Sequence, residues 1–207
     1  MNNNQIADGL YIRKGADKDI PYVAGIYEKI LDRQDEGTAT VGWIRGVYPT
    51  EATARAALSA GELFVMVDEN CPEGSRHNAG NKADDSNSGR IVAAARINQI
   101  QVPEYANASW RYSEVSPEQV MVLHTLVVDP ECAGKGYGTE FVRFYEQYAF
   151  EHGCPYLRMD TNARNKAARK LYAKLGFWEA DIVPCVFNGI PDVQLVCLEK
   201  SLINNGR

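Results

Sequence analysis

Gly134, Gly136 and Gly138 alternate with Lys135 and Tyr137 in the stretch HTLVVDPECAGKGYGTEF, residues 124–141. An aromatic helical pattern begins at the same place: Tyr137, Phe141, Phe144, Tyr145 and Tyr148 fall on one face at helical spacing. Glycine in a helix loses up to about 1 kcal/mol relative to alanine, so something must offset it here. The chemical candidate is an anion. A first helical turn leaves N–H groups unpaired, its dipole is positive, and a backbone without Cβ atoms lets a phosphate come close. Lys135 adds a mobile charge. A tight strand-to-helix turn with no ligand is the alternative that the glycines alone leave open. The spacing matches neither the P-loop, Gly-x-x-x-x-Gly-Lys-Ser/Thr, nor the Gly-x-Gly-x-x-Gly dinucleotide turn.

Two further groups could move protons. His124 precedes the glycines on a strand-like run, and imidazole titrates in the useful range. It is equally readable as a half-buried histidine paired to a neighbour. Strand alternation puts His124 and Leu126 on one side. Tyr172 lies with Ala168, Leu171 and Leu175 on one face of a short helical pattern, where an aromatic core residue is the ordinary reading. Asn165 stands where that helix would start and reads as an N-cap.

These residues need a scaffold. The sequence predicts strands at 10–14, 62–69, 91–101, 120–128, 154–160, 177–187 and 192–200, the last two joined around Asn188-Gly189. Helical periodicity covers 17–34 with Asp17 as its cap, 50–59, the segment from Gly136 or Gly138 to His152, and 165–176 with Gly176 as its stop. The segments 35–50 and 102–119 read as loops. Residues 70–90, which include His77, are polar and read as a flexible hairpin loop flanked directly by strands. The expected fold is α+β: a mixed, mostly antiparallel sheet of seven strands with four helices on its faces. One domain spans 1–207, its core over about 10–200.

Composition narrows the function. The net charge of −5 disfavours nucleic acid as a partner, because phosphate neutralisation wants a basic face. No basic start precedes an apolar run at the N-terminus, and no stretch nears the ~20 apolar residues of a membrane span. The five cysteines are odd in number, scattered and outside any Cys-x-x-Cys pair, so reduced thiols, no metal and a cytoplasmic location are expected.

The chain resembles the GNAT superfamily of acyl-CoA-dependent N-acyltransferases. The family's strand ending in Leu-x-Val-x-Pro is matched by Leu126, Val128 and Pro130. Its Gln/Arg-x-x-Gly-x-Gly/Ala loop is matched at the glycines, with Ala133 in the Gln/Arg position as a departure. The second motif, Asn-x-x-Ala-x-x-Leu-Tyr-x-x-x-Gly-Phe, is matched by Asn165, Ala168, Leu171, Tyr172, Gly176 and Phe177.

The resemblance implies transfer of an acetyl group from acetyl-CoA to a primary amine by direct attack in a ternary complex. A non-catalytic acyl-CoA-binding or regulatory module is the rival. It implies a sheet splayed at its fourth predicted strand. The pantetheine arm would lie along Leu126, Val127 and Val128, with Asn165 and Ala168 opposite. The pyrophosphate would lie on the loop of Ala133, Gly134, Lys135, Gly136, Tyr137, Gly138 and Thr139. Tyr172 becomes the acid for the leaving thiolate, and His124 the candidate base, with a carboxylate acting through water as the alternative. Trp43, Tyr48 and Trp110, in the irregular segments, would border the acceptor, a small molecule or peptide amine. A monomer or homodimer is expected.

Overall fold

The computed structural model describes residues 4–71 and 89–203, so most of the loop expected at 70–90, with His77, lies outside the described residues. Eight strands form one sheet: β1 (Asn4–Ala7), β2 (Leu10–Lys14), β3 (Leu63–Asp68), β4 (Arg90–Asn98), β5 (Val120–Val128), β6 (Tyr156–Asn162), β7 (Trp178–Phe187) and β8 (Ile190–Ser201). Their order is β1-β2-β3-β4-β5-β6-β8-β7. Every neighbouring pair is antiparallel except β5 and β6. β1 was not expected. Its sequence, NQIA, carries one large apolar side chain, too little for a periodic signal.

Four α-helices cover the sheet: α1 (Ile20–Asp35), α2 (Glu51–Ser59), α3 (Tyr137–Glu151) and α4 (Lys166–Lys174). Ile20, Val23, Ile26 and Tyr27 of α1 pack with Ala54 and Ala57 of α2 on Val65, Ala94 and Val127. Phe141, Phe144 and Tyr145 of α3 pack with Phe64, Ala93, Ala95, Met121 and Leu123. A third cluster joins Val120 and Val122 to Val193, Leu195 and Tyr105. Asp17 does not cap α1. Residues Asp17–Asp19 form a 3-10 turn, and buried Asp19 instead accepts from the Ala16 N–H at 2.8 Å and pairs with Arg13. The turn between β7 and β8 has positive φ at both Asn188 and Gly189, as a two-residue hairpin of the right twist requires.

Two irregularities shape the centre of the sheet. The parallel pairing of β5 with β6 runs only from Val120–Tyr156 to Leu123–Met159, and the two strands part beyond it. Between the pairs Ala94–Val127 and Arg96–His124, β5 holds one residue more than β4. That bulge centres on Thr125, whose φ of 50° is unusual for a β-branched residue. It corrects the expectation from alternation. Leu123 and Leu126 both face the α3 cluster, whereas His124 lies beside Arg96 on the opposite face.

Candidate active site

The glycine loop opens α3. Gly134 and Gly136 have φ of 82° and 86°, conformations that L side chains rarely adopt, and a Cβ at either would meet nothing within 4 Å. The loop is therefore set by backbone conformation, and the space beside it is open. Gly136 caps α3 without a side-chain bond, so the N–H groups of Tyr137, Gly138 and Thr139 have no intrahelical partner. The Tyr137 ring is buried and its hydroxyl bonds Asp68, so it anchors the loop to the sheet. Lys135 is exposed. These features fit a pyrophosphate.

The gap between β5 and β6 runs from this loop into the molecule. Leu126, Asn165, Ala168 and Tyr172 line a cavity of about 100 Å³ there. Val127 turns its side chain into the α1 cluster, leaving only its backbone to the gap. Asn165 is the N-cap of α4, its Oδ1 accepting from the Ala168 N–H at 3.2 Å. Its amide N–H groups remain available to a second partner. Tyr172 is buried against Phe177, and burial holds its phenol protonated well above the usual range.

The segment 35–50 roofs this cavity with Val41, Gly42, Trp43 and Tyr48. Gln34 fixes it by accepting from the Gly42 N–H at 2.7 Å and donating to the Trp43 carbonyl at 2.8 Å. Thr40 ties it across to the Arg164 carbonyl at 2.8 Å. Gly42 is a close approach: a Cβ there would sit 2.4 Å from the Asn162 Nδ2. The Tyr48 hydroxyl bonds the Thr125 hydroxyl at the bulge.

A second cavity, about 170 Å³, lies on the α1 side of the same gap and includes Tyr27, Arg96, Asn98 and His124. Tyr48, Thr125, Asp160 and Phe187 border both. Asp160 sits on β6 one residue past the last pair with β5. It accepts from the Tyr105 hydroxyl at 2.8 Å. Burial pushes its carboxyl up to about 7 despite that bond. His124 is held by Asn98, its Nε2 lying 2.8 Å from Oδ1. Burial, and secondarily the Arg96 charge, lower its imidazole to about 4, so it is neutral at pH 7. The sequence reading left a carboxylate open as base but did not single out Asp160, because an acid inside a strand run gives no signal until the neighbouring strand is known to part from it.

The structure thus gathers His124, Leu126, Asn165, Ala168, Tyr172, Trp43 and Tyr48 around one gap. Trp110 borders neither cavity. Its indole donates to the Tyr105 carbonyl at 2.8 Å, and the Arg158 guanidinium lies over its ring. It pins the 102–119 segment to the sheet, and through Tyr105 it supports Asp160. Among the described residues no group of three or more His, Cys, Asp or Glu could hold a metal ion, and no helix is long and apolar enough to cross a membrane.

A strand pair that opens beside a glycine-rich helix entry is the architecture of acyl-CoA-dependent acetyltransferases. The chain belongs to the acetyltransferase (GNAT) family, whose model matches residues 54–177. It is similar to an uncharacterised N-acetyltransferase of Methanocaldococcus jannaschii, 31% identical over 71 residues that make up 34% of this chain and 31% of that protein. The match thus spans about a third of that relative's length. Among solved structures, a GNAT-family acetyltransferase of Streptococcus agalactiae shares the fold at a TM-score of 0.73 and 15% identity, over 96% of this chain and 98% of that one. A Salmonella typhimurium protein named for acetyltransferase activity, solved with its cofactor acetyl-CoA, shares it at 0.58 and 18% identity, over 96% and 97%.

Proposed function

We propose that this protein transfers the acetyl group of acetyl-CoA to the primary amine of an acceptor bound in the second cavity. The observation that carries the reading is the parting of β5 from β6, with Tyr172 and Asp160 on the cavity there and the glycine loop packed beside Val128 and Leu171 at the end of β5. Bound acetyl-CoA supplies an acetyl group activated as a thioester. The N–H groups of Tyr137, Gly138 and Thr139 hold the pyrophosphate, with Lys135 adding charge. Backbone groups of β5 from Leu126 to Val128 and the Asn165 amide hold the pantetheine arm. A backbone N–H of β5 facing the thioester oxygen polarises the carbonyl.

The amine must be neutral to attack. Asp160 is the group placed to accept its proton, directly or through one water, because it borders both cavities and ionises near neutral pH. His124 is the second candidate. A base lowered to about 4 takes a proton from an ammonium poorly, so its neutral ring serves better as an acceptor that orients the amine. Tyr172, held protonated, donates to the departing thiolate. The acetylated amine and free thiol result from one direct attack.

Thiol release measured with a panel of amines tests the reading. Tyr172→Phe keeps the ring and its packing on Phe177, so it should fold and bind acetyl-CoA while turnover drops about 100-fold. Tight acetyl-CoA binding with no release on any amine would instead favour the non-catalytic module, and unchanged turnover in Tyr172→Phe would remove the tyrosine from the mechanism.

A further inference from the structure

The second cavity is charged differently at its two ends. Asp160 borders both cavities and so marks the end toward the thioester. Arg96 borders only the second and marks the end away from it. Among the described residues it is the one Lys or Arg on that lining.

Its orientation is fixed. The Arg96 Nε donates to Glu62 Oε2 at 2.6 Å. The same oxygen accepts from Asn98 Nδ2 at 2.8 Å, and Asn98 Oδ1 meets both His124 Nε2 and the Ile100 N–H. Among the described residues only the Nε–H of the guanidinium is engaged. Neither terminal nitrogen donates to a protein group among the described residues. Four N–H groups in a planar fork are thus left, the arrangement that binds a carboxylate through two parallel bonds.

Size narrows the occupant further. A cavity of about 150 Å³ takes a molecule the size of benzene. At about 170 Å³ this one holds a group of about that size.

We propose that the acceptor is a small zwitterion, a primary amine that carries a carboxylate or similar oxyanion, with its anionic group on Arg96 and its amine at Asp160. This rests on the acetyltransfer reading and names the substrate class of that site. Arg96 is a specificity determinant here, not a catalytic residue. A purely cationic amine, such as a diamine, leaves the Arg96 fork without an anion, and Glu62, already bonded to Arg96 and Asn98, does not border the cavity. A peptide N-terminus offers an amide where the carboxylate belongs.

The test compares matched acceptors in the thiol-release assay: amino acids, their carboxamides, and the corresponding amines without the carboxyl. Acids should exceed both analogues about tenfold or more in kcat/KM. Arg96→Met should erase that preference, and Arg96→Lys should restore part of it, with acetyl-CoA affinity unchanged in both. If Arg96→Met does not fold, Arg96→Lys alone still reads the effect, because it keeps the charge and loses the fork. Carboxamides or simple amines used as well as acids would overturn the inference while leaving acetyltransfer intact. An undiminished preference for acids in folded Arg96→Met, or in Arg96→Lys if only that variant folds, would overturn it too. No release with any amine would overturn the reading on which it rests.

Discussion

Asp160 and His124 face the same gap and are displaced in opposite directions, and their titrations separate them. If Asp160 is the base, kcat/KM rises with pH through about 7, and Asp160→Asn removes that inflection with a loss of about 100-fold. If His124 is the base, the inflection lies near 4 and vanishes in His124→Ala instead. Stability carries the same signature. The folded state keeps the proton on Asp160 up to about 7 while the unfolded chain releases it near 3.8, so stability falls as pH rises through that window, by up to about 4 kcal/mol. His124 acts with the other sign: its folded value is depressed to about 4, so stability is lost as pH falls from 6.5. Asp160→Asn should therefore melt higher than wild type at pH 8, with the difference closing below pH 4, in thermal denaturation across a pH series. An equal melting temperature at pH 8 would mean that the carboxylate is well solvated. Residue type alone could not rank these two groups. The place of Tyr172 beside the gap was legible because the motif fixes it on α4. The place of Asp160 was not, because it depends on which strands part around it.

At the scale of elements, the glycine loop was legible as an interruption of helical pattern, and the structure divides its glycines. Gly134 and Gly136 are set by their left-handed backbone. Gly138 is set by the approach of Leu171, whose Cδ2 would lie 3.2 Å from an added Cβ. Gly136→Ala should therefore destabilise the protein by about 1–2 kcal/mol without any ligand present, as read from urea unfolding. A smaller loss would mean that the loop relaxes. A change of acetyl-CoA affinity in that variant mixes backbone strain with steric exclusion, so Lys135→Ala is the cleaner probe of the phosphate contact. The aromatic loops were less legible. Trp43 and Trp110 look alike in sequence, each in an irregular glycine- or serine-containing segment. Only the paths of those segments put Trp43 over the gap and Trp110 against Tyr105.

For the whole molecule, seven of the eight strands and all four α-helices follow from periodicity and turn chemistry, because one buried face per element repeats at a fixed spacing. β1 did not, since a four-residue strand at an edge carries too little apolar pattern. The sheet is continuous, yet four residue pairs are all that join its halves at β5 and β6. Ligand in the gap should bridge those halves. Hydrogen exchange with and without acetyl-CoA should slow most at Thr125–Val128 and Tyr137–Thr139, with little change in β2 or β3. Uniform slowing would point to global stabilisation instead. The bulge at Thr125 has its own consequence. A strand carries its message in two alternating registers, and the extra residue is a frameshift in the middle of β5. Upstream of it, Val120 and Val122 pack in the cluster of Val193 and Leu195, and His124 faces the second cavity. Downstream, even-numbered side chains look toward α3. A single-residue deletion at Thr125 would close the bulge and leave the faces as they are, with Leu126 following His124 in plain alternation and Leu126 and Val128 still toward α3. In this chain one extra threonine is why His124 and Leu126, two residues apart, look to opposite faces.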